Sequence, residues 1–294
     1  MTPQGTATGS IVVGVDGSPS SEHAVMWAAE EAALSHRGLF LVHARQRIGA
    51  DELAWLSTAS IPMQRIDNQL QEAAEGVVER ARSLAADRSP GLPIETVIAD
   101  MDARSLLLDV GGTADLTVVG TRGRGRVASL LLGSVSAALV RHSHRPVAVI
   151  RARDERGHGV LVGADGSEES VELVELAYRE ASLRGMPLTV VHCMWDGLMA
   201  QARWATVDAT DLEADEARAR ISESVAGMGE KFPDVAMEVL ITRGAIDACL
   251  VDLSARYDLL LIGRPIRPLV LRLTMSGLTM PVVEHAHCPV LVVP

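Results

Sequence analysis

Lysine is almost absent from this chain. Lys231 is the only lysine among the 27 basic residues, and the others are arginines. A Walker-type phosphate loop requires a lysine before a serine or threonine, and Schiff-base or pyridoxal chemistry requires a lysine amine. Lys231 stands in the segment Glu-Lys-Phe-Pro, which fits neither use. The composition therefore excludes both classes of mechanism.

Positive charge, aromatic rings and cysteine are also scarce. The net charge is −11 and aromatic residues make up 3% of the chain, which argues against binding nucleic acid through its phosphates or by base stacking. The three cysteines show no Cys-x-x-Cys spacing, which argues against a zinc site or a disulfide framework. The N-terminal segment lacks a secretory signal pattern, and no run approaches the ~18 apolar residues of a membrane span. The sequence predicts a cytoplasmic protein without a metal site or membrane span.

The 294 residues contain one long pattern twice. Val-Gly-Val-Asp-Gly-Ser at 13–18 recurs as Val-Gly-Ala-Asp-Gly-Ser at 162–167, an offset of 149. His-Ser-His-Arg-Pro-Val at 142–147 recurs as His-Ala-His-Cys-Pro-Val at 285–290, an offset of 143. A repeat of this length is a whole domain. The sequence predicts two domains, residues 1–152 and 157–294, separated by a charged segment that contains glycine.

Apolar runs alternate with segments of helical periodicity in the first copy. The predicted strands are at 11–15, 39–43, 94–98, 116–120 and 146–150, and predicted helices include 69–86, 104–110 and 134–142. Strands that are apolar throughout and alternate with helices indicate a parallel sheet that is covered on both faces. The predicted fold class is α/β, with two tandem five-stranded, parallel-sheet, Rossmann-like domains. Ligands of such sheets bind beyond the carboxyl ends of the strands.

A glycine-rich segment follows the fourth predicted strand of the first copy. Gly120, Gly123 and Gly133 have the spacing Gly-x2-Gly-x9-Gly, and Ser134 follows the last glycine. Glycines let backbone N–H groups approach a polyanion, and a helix that begins here adds its N-terminal N–H groups and its dipole. The segment therefore predicts a phosphate site. It contains three arginines: Arg122, Arg124 and Arg126.

These residues resemble the universal stress proteins, in the branch of that family that binds ATP. The glycine spacing matches the ATP-binding signature of the family, and the Val-Asp-Gly-Ser segment and the Val-His pair at 42–43 are similar to it too. The resemblance covers roughly residues 9–294 as two tandem copies. It implies that the first domain binds ATP, with Mg²⁺ carried by the phosphates. Asp16 and Val42 would contact the nucleoside. The residues implied around ribose and phosphates are Gly120, Arg122, Gly123, Gly133, Ser134, Val135 and Ser136.

The second copy departs from this pattern. Asp165 and Val191 are retained, but the counterparts of Gly123 and Gly133 are Ile266 and Ser276. A branched side chain resists the conformations that glycine permits, and prolines in the same loop remove backbone donors. We therefore predict that the second domain keeps the fold and has lost most of its affinity for ATP. The other changed positions are Pro265, Pro268, Gly277 and Pro281.

Other types of site fit the residues less well. Residues 123–128 imitate a dinucleotide fingerprint but follow the fourth strand rather than the first. The His-x-His pairs at 142–144 and 285–287 are more typical of helix caps than of metal ligands. His192 and Cys193 are neighbours on a predicted strand, so they point to opposite faces of the sheet. Asp16 has a structural alternative, since a carboxylate before a helix often caps it.

The resemblance implies a nucleotide-dependent sensor or regulator in stress or dormancy, with little or no catalytic turnover. Two alternatives stay open. One is a slow ATPase or nucleotidyl transferase, and the other is an interaction scaffold without nucleotide. Each is compatible with a homodimer and with a regulatory protein partner.

Overall fold

The computed structural model describes residues 7–45, 62–123, 132–152, 157–196, 204–207, 211–264 and 279–294. The chain forms two compact units, Met1–Ile150 and Arg151–Pro294. The domain boundaries at residues 152 and 157 remain predictions.

The first unit has one parallel sheet. Its strands are β1 (Ile11–Gly14), β2 (Leu39–Ala44), β3 (Ile94–Ala99), β4 (Leu116–Gly120) and β5 (Val147–Ile150). Its described helices are α1 (Pro19–Leu34), α2 (Met63–Arg88), α3 (Ala103–Gly111) and α4 (Ser134–His142). The strand order is β3-β2-β1-β4-β5, and every pair is parallel. Because the order reverses between β1 and β4, a ligand crevice is expected at the carboxyl ends of these two strands.

The second unit repeats this arrangement and adds one strand. Its strands are β6 (Val160–Gly163), β7 (Leu188–Trp195), β8 (Trp204–Thr206), β9 (Met237–Gly244), β10 (Leu259–Gly263) and β11 (Val290–Val293). Its described helices are α5 (Glu168–Arg184), α6 (Leu212–Ser224), α7 (Met228–Lys231), α8 (Ile246–Ser254) and α9 (Thr279–His285). The order is β11-β10-β6-β7-β9-β8, in which β8 pairs antiparallel with β9. The predicted α/β class is confirmed, and β8 is an addition that the sequence pattern did not indicate.

Helix α1 shows how neighbouring residues determine where a helix begins and which face it buries. Ser18 caps the helix by accepting a hydrogen bond from the Ser21 N–H, and Pro19 occupies the first turn, where its missing N–H costs nothing. The apolar face of α1, with its helical spacing, is buried, and so is its counterpart on α5. These residues are Ala24, Val25, Ala28 and Ala32, and Leu173, Val174, Ala177 and Ala181.

Among the described residues, no helix is both long enough and apolar enough to cross a lipid bilayer.

Strand β4 contains a buried hydroxyl group that makes no hydrogen bond. Thr117 is fully buried, and its Oγ1 is the one buried side-chain N or O atom without a partner among the described residues. An unsatisfied buried hydroxyl costs about 1–3 kcal/mol. The counterpart in the second unit is Leu260, which is also fully buried. The fold therefore accepts an apolar side chain at this position of the fourth parallel strand.

We expect Thr117→Val to raise the free energy of unfolding of the first unit by about 1 kcal/mol, because it removes an unpaired hydroxyl while keeping the branched shape. Thr189→Val is the matched control. The Thr189 hydroxyl accepts from Tyr257 and donates to Glu238, each at 3.0 Å. Losing these bonds should lower the stability of the second unit by about 1–3 kcal/mol.

Urea-dependent hydrogen exchange, which reports on each unit separately, measures both variants. If Thr117→Val lowered stability by as much as Thr189→Val does, the Thr117 hydroxyl would not be unpaired, and the assignment would be wrong.

Candidate functional site

A tight turn holds Asp16 at the carboxyl end of β1. Gly17 has φ +74°, which glycine adopts without strain. The Ser18 N–H donates to Asp16 Oδ1 at 2.9 Å, and the Asp16 N–H donates to Ser21 Oγ at 3.2 Å. One carboxylate oxygen of Asp16 therefore orders the turn before α1, while the helix cap that the structural alternative assigned to Asp16 is Ser18. The other oxygen, Oδ2, faces Gly123 in the loop after β4.

Three hydroxyl groups join the start of α1 to the loop after β4. Ser20 Oγ lies 3.3 Å from Thr121 Oγ1 and accepts from the Arg122 N–H at 3.4 Å. Ser18 Oγ donates to the Arg122 carbonyl at 3.4 Å. We call Ser18, Ser20 and Thr121 the hydroxyl latch. It fixes the loop beside the turn that carries Asp16.

Two glycines beside the latch, one at the end of β4 and one in the loop, leave no room for a side chain. A Cβ at Gly120 would lie 2.6 Å from the Ser20 carbonyl oxygen and closer still to Ser20 Oγ. A Cβ at Gly123 would overlap the Asp16 carboxylate. Both glycines are therefore needed for the close approach of the protein's own elements, before any ligand is considered.

The start of α4 is open toward the same edge of the sheet. The Gly133 N–H donates to the Thr121 carbonyl at 2.7 Å, which brings the helix N-terminus to the loop. Because the N-cap residue is glycine, no N-cap side chain covers the first N–H groups of the helix. Ser134 is exposed and Val135 is half-buried. The buried Ser136 hydroxyl donates to the Gly120 carbonyl at 2.7 Å, so its proton holds the end of β4.

Val42 lies one strand away from this cluster. Its carbonyl accepts from the Val15 N–H at 2.9 Å, and its side chain is buried. His43 reinforces the same end of β1, since its Nδ1 lies 2.7 Å from the Val15 carbonyl oxygen. The backbone of Val42 thus borders the turn that carries Asp16. The Arg122 side chain is exposed.

The structure brings together most of the residues that the sequence pattern singled out, although their contacts to a ligand remain predictions. Asp16, Gly120, Gly123 and Gly133 meet around the latch, and Ser134 and Val135 open α4 beside them. Arg124, Gly125 and Arg126 lie outside the described residues.

Ser20 and Thr121 are site residues that the sequence analysis missed. The repeat contains the signal that identifies Ser20: the first copy has Ser-Pro-Ser-Ser at 18–21, and the second has Ser-Glu-Glu-Ser at 167–170. The two helix starts differ at their two middle residues, and one of these, Ser20, contacts the loop after β4.

The second unit has the same turn at the end of β6. The Ser167 N–H donates to Asp165 Oδ1 at 3.0 Å, and His192 Nδ1 lies 2.9 Å from the Ala164 carbonyl oxygen. The packing beyond the turn is different. Among the described residues, a Cβ at Gly263, the counterpart of Gly120, would meet only Leu173 Cδ2, at 3.6 Å. The described part of α5 therefore packs less closely on the end of β10 than α1 packs on the end of β4.

A cavity of ≈ 790 Å³ lies at the carboxyl edge of this sheet. Glu168, Glu169 and Glu172 line it, at the positions of Pro19, Ser20 and His23 in the first unit. Arg264 is the one arginine or lysine among its described lining residues. Carboxylates at these positions would repel a polyphosphate. The loss of affinity for ATP in this domain stays a prediction.

The loop substitutions behind that prediction lie outside the described residues, since 265–278 are not described. They are Pro265, Ile266, Pro268, Ser276 and Gly277. Pro281 is the third residue of α9 as described, within the first turn, where proline is tolerated. Over the described residues, no group of three His, Cys, Asp or Glu side chains is placed to hold a metal ion.

Comparison with known proteins identifies relatives over both copies. The model of the universal stress protein family matches residues 8–151 and 158–294. The universal stress protein Rv2623 of Mycobacterium tuberculosis is 32% identical over 300 residues, covering 98% of this chain and 97% of its own length. A universal stress protein of Mycolicibacterium smegmatis is 31% identical over 291 residues, 96% of each chain. The crystal structure of a universal stress protein from Archaeoglobus fulgidus shares the fold, with a TM-score of 0.68 at 18% identity over 97% of this chain and 95% of that chain.

The two glycines that end β4 and β10 provide a matched test of the latch. We expect Gly120→Ala to lower the free energy of unfolding of the first unit by about 1–3 kcal/mol, because its Cβ must push Ser20 away. Gly263→Ala should change the stability of the second unit by less than about 0.5 kcal/mol, because its Cβ would make an ordinary van der Waals contact with Leu173. Hydrogen exchange in urea measures both. Equal effects at the two positions would show that the α1–β4 contact is not tight.

Proposed function

This chain belongs to the universal stress protein family, and from that premise we propose that its first domain binds ATP and acts as a nucleotide-dependent regulator. The observation that carries the proposal is the convergence of a glycine loop, an uncapped helix N-terminus and the Asp16 carboxylate at one switch point of the sheet. The glycine spacing 120–123–133 supports ATP as the ligand, because it matches the ATP-binding signature of the family.

The electrostatics of the first site favour a polyanion although the chain as a whole is acidic. The N-terminal N–H groups and the dipole of α4 attract negative charge, and Arg122 adds a cation on the loop. In this proposal Gly120, Gly123 and Gly133 let backbone N–H groups reach the phosphates, and Ser134 adds a hydroxyl. The nucleoside lies toward Asp16 and the backbone of Val42.

In this proposal the site binds ATP with little or no hydrolysis. Among the described residues around it, the hydroxyl groups of Ser18, Ser20 and Ser136 are engaged with the backbone or with Thr121. None of these hydroxyls is hydrogen-bonded to a histidine or a carboxylate that would activate it as a nucleophile. ATP binding would instead stabilise the first domain by mass action. A cytoplasmic protein partner would then recognise the nucleotide-bound form.

Ser134→Glu tests this assignment without harming the fold. Ser134 is the exposed first residue of α4, where a carboxylate is favourable for the helix dipole. The same carboxylate would face the phosphates, and like charges about 4 Å apart repel by about 4 kcal/mol near a protein surface. We therefore expect ATP affinity, measured by titration calorimetry, to fall at least about tenfold. The thermal stability without nucleotide should be unchanged or higher.

Leu212→Glu is the matched control. Leu212 is the first residue of α6 in the second unit and is 80% exposed, so the change adds the same charge at the same helix position. It should leave ATP affinity and a stoichiometry near one per chain unchanged. Undiminished binding to Ser134→Glu would refute the proposed site. Sustained phosphate release that Ser134→Glu abolishes would favour the slow ATPase, and no ATP binding by the unmodified chain would favour the scaffold.

A further inference from the structure

Two thiols meet beside the cavity of the second unit. Cys193 and Thr242 are direct partners in the register of β7 and β9, so their side chains lie on the same face of the sheet. Cys249, on α8, covers that face, and its Sγ lies 3.2 Å from Thr242 Oγ1. The Cys193 thiol donates to the Gly244 carbonyl at 3.9 Å, and Cys249 and Thr242 are the neighbours that lower its pKa. Cys193, Thr242 and Cys249 form what we call the thiol cluster.

The two sulfur atoms differ in access. Cys193 is half-buried and lines the ≈ 790 Å³ cavity, whereas Cys249 is fully buried. The third cysteine, Cys288, is also fully buried and is not among the residues that line this cavity. Of these two cysteines, Cys193 is therefore the one that a small molecule in the cavity can contact, and Cys249 lies beside its strand partner Thr242.

The fold does not require this cluster. At the repeat offsets, Cys193, Thr242 and Cys249 correspond to Ala44, Ala99 and Leu106 of the first unit. Those positions pair in the same register, Ala44 beside Ala99 on β2 and β3. The first copy thus forms the same part of the sheet and helix with three apolar side chains. Packing alone therefore does not explain the sulfur and hydroxyl groups of Cys193, Thr242 and Cys249 in the second copy.

We propose that Cys193 is a peroxide-reactive thiol of the second domain and that Cys249 resolves its oxidised form to an intradomain disulfide. The Cys193 thiolate attacks one oxygen of a hydroperoxide, the O–O bond breaks, and the other oxygen leaves and takes a proton as water or alcohol. Oxidation removes the negative charge on Cys193, which is one of the causes that keep Cys249 protonated. The Cys249 thiol then gives its proton to the leaving hydroxyl as its sulfur attacks the sulfur of the Cys193 sulfenic acid. The S–O bond breaks, the S–S bond forms, and the Cys249 proton leaves with the hydroxyl as water. The two thiols lose two electrons and the peroxide gains them.

The surroundings of the cluster favour thiolate at Cys193. The hydrogen bond from Cys249, with that from Thr242, lowers the pKa of Cys193 to about 7, against the opposing effects of burial and of Asp247. The same hydrogen bond and burial raise the pKa of Cys249, which Asp252 raises further. A thiolate is the reactive form of cysteine, and the protonated neighbour is the donor that stabilises it. Other charged or titratable groups that line the cavity are Asp165, Glu168, Glu169, Glu172, His192 and Arg264.

Peroxide oxidation of the reduced full-length chain tests the proposal. Treatment with hydrogen peroxide should lower the thiol count from three to one, and peptide mapping should identify a Cys193–Cys249 disulfide. Cys288→Ser, the matched control, should form the same disulfide at the same rate. Cys193→Ala should abolish the rapid loss of thiol, and the first copy shows that alanine suits this position. Cys249→Ala should accumulate a sulfenic acid at Cys193 that a dimedone probe traps.

The mapping of the unmodified chain needs no variant, so it decides the outcome even where a substitution harms folding. Oxidation of Cys288 as fast as Cys193 would overturn the proposal. So would a Cys193 that reacts no faster in the native chain than in urea, or that forms only disulfides between chains. Nucleotide binding by the first domain is tested separately, so either result leaves the other standing.

The pH dependence of alkylation provides a second measurement. Below pH 7 Cys193 is mostly protonated and should react slowly with iodoacetamide, and the rate should rise through pH 7 and level off above it. In the chain unfolded in urea the midpoint should move up toward about 8.5, the value of an ordinary cysteine. In native Cys249→Ala it should also move up, because the donor to the Cys193 sulfur is lost. A midpoint that is the same in all three samples would show that the cluster does not tune Cys193.

Discussion

The approach of helix α1 to the end of strand β4 is the contact on which the first site depends. It is possible only because residue 120 has no side chain, so that the Ser20 backbone and hydroxyl can lie against it. That approach puts the hydroxyl latch in place, and the latch holds the loop beside Asp16 and the N-terminus of α4. Glycine at 120 is thus a packing requirement first, and the geometry of the proposed phosphate site is its consequence.

The sequence predicts local features well because each has a cause within a few residues. The helix at 134–142 is observed as Ser134–His142, since Gly133 and Pro146 mark its limits. Helix α2 begins at Met63, earlier than the predicted residue 69, because its buried face starts only at Ala74 and the first turns show no apolar periodicity. Strand β8 is stabilised by its antiparallel pairing with β9, which lies about thirty residues further along the chain, so no local sequence pattern predicts it.

In the candidate site, too, some residues could be predicted from the sequence and others could not. Its glycines and Asp16 could be predicted because their spacing is visible along the chain. Thr121 of the hydroxyl latch could not be predicted, because its role depends on Ser20, a partner about a hundred residues away. The thiol cluster is another case: without a Cys-x-x-Cys spacing, only the register of β7 and β9 and the placement of α8 bring its members together. Side chains that meet through tertiary packing leave no periodic signal.

The duplication shows which of these features the fold itself demands. Both copies keep the aspartate turn and the histidine that bonds the preceding strand end, although only one keeps the glycine loop, so these two features belong to the fold. The latch and the thiol cluster each occur in one copy, so neither is needed to build the sheet. Glu169 stands where the first copy has Ser20, the residue that packs on the end of β4. The same backbone there borders a cavity that three glutamates and Cys193 line. The two copies thus share a scaffold and differ in the charge at its carboxyl edge, which is why we propose a polyanion as the ligand of the first and a small uncharged oxidant as the reactant of the second.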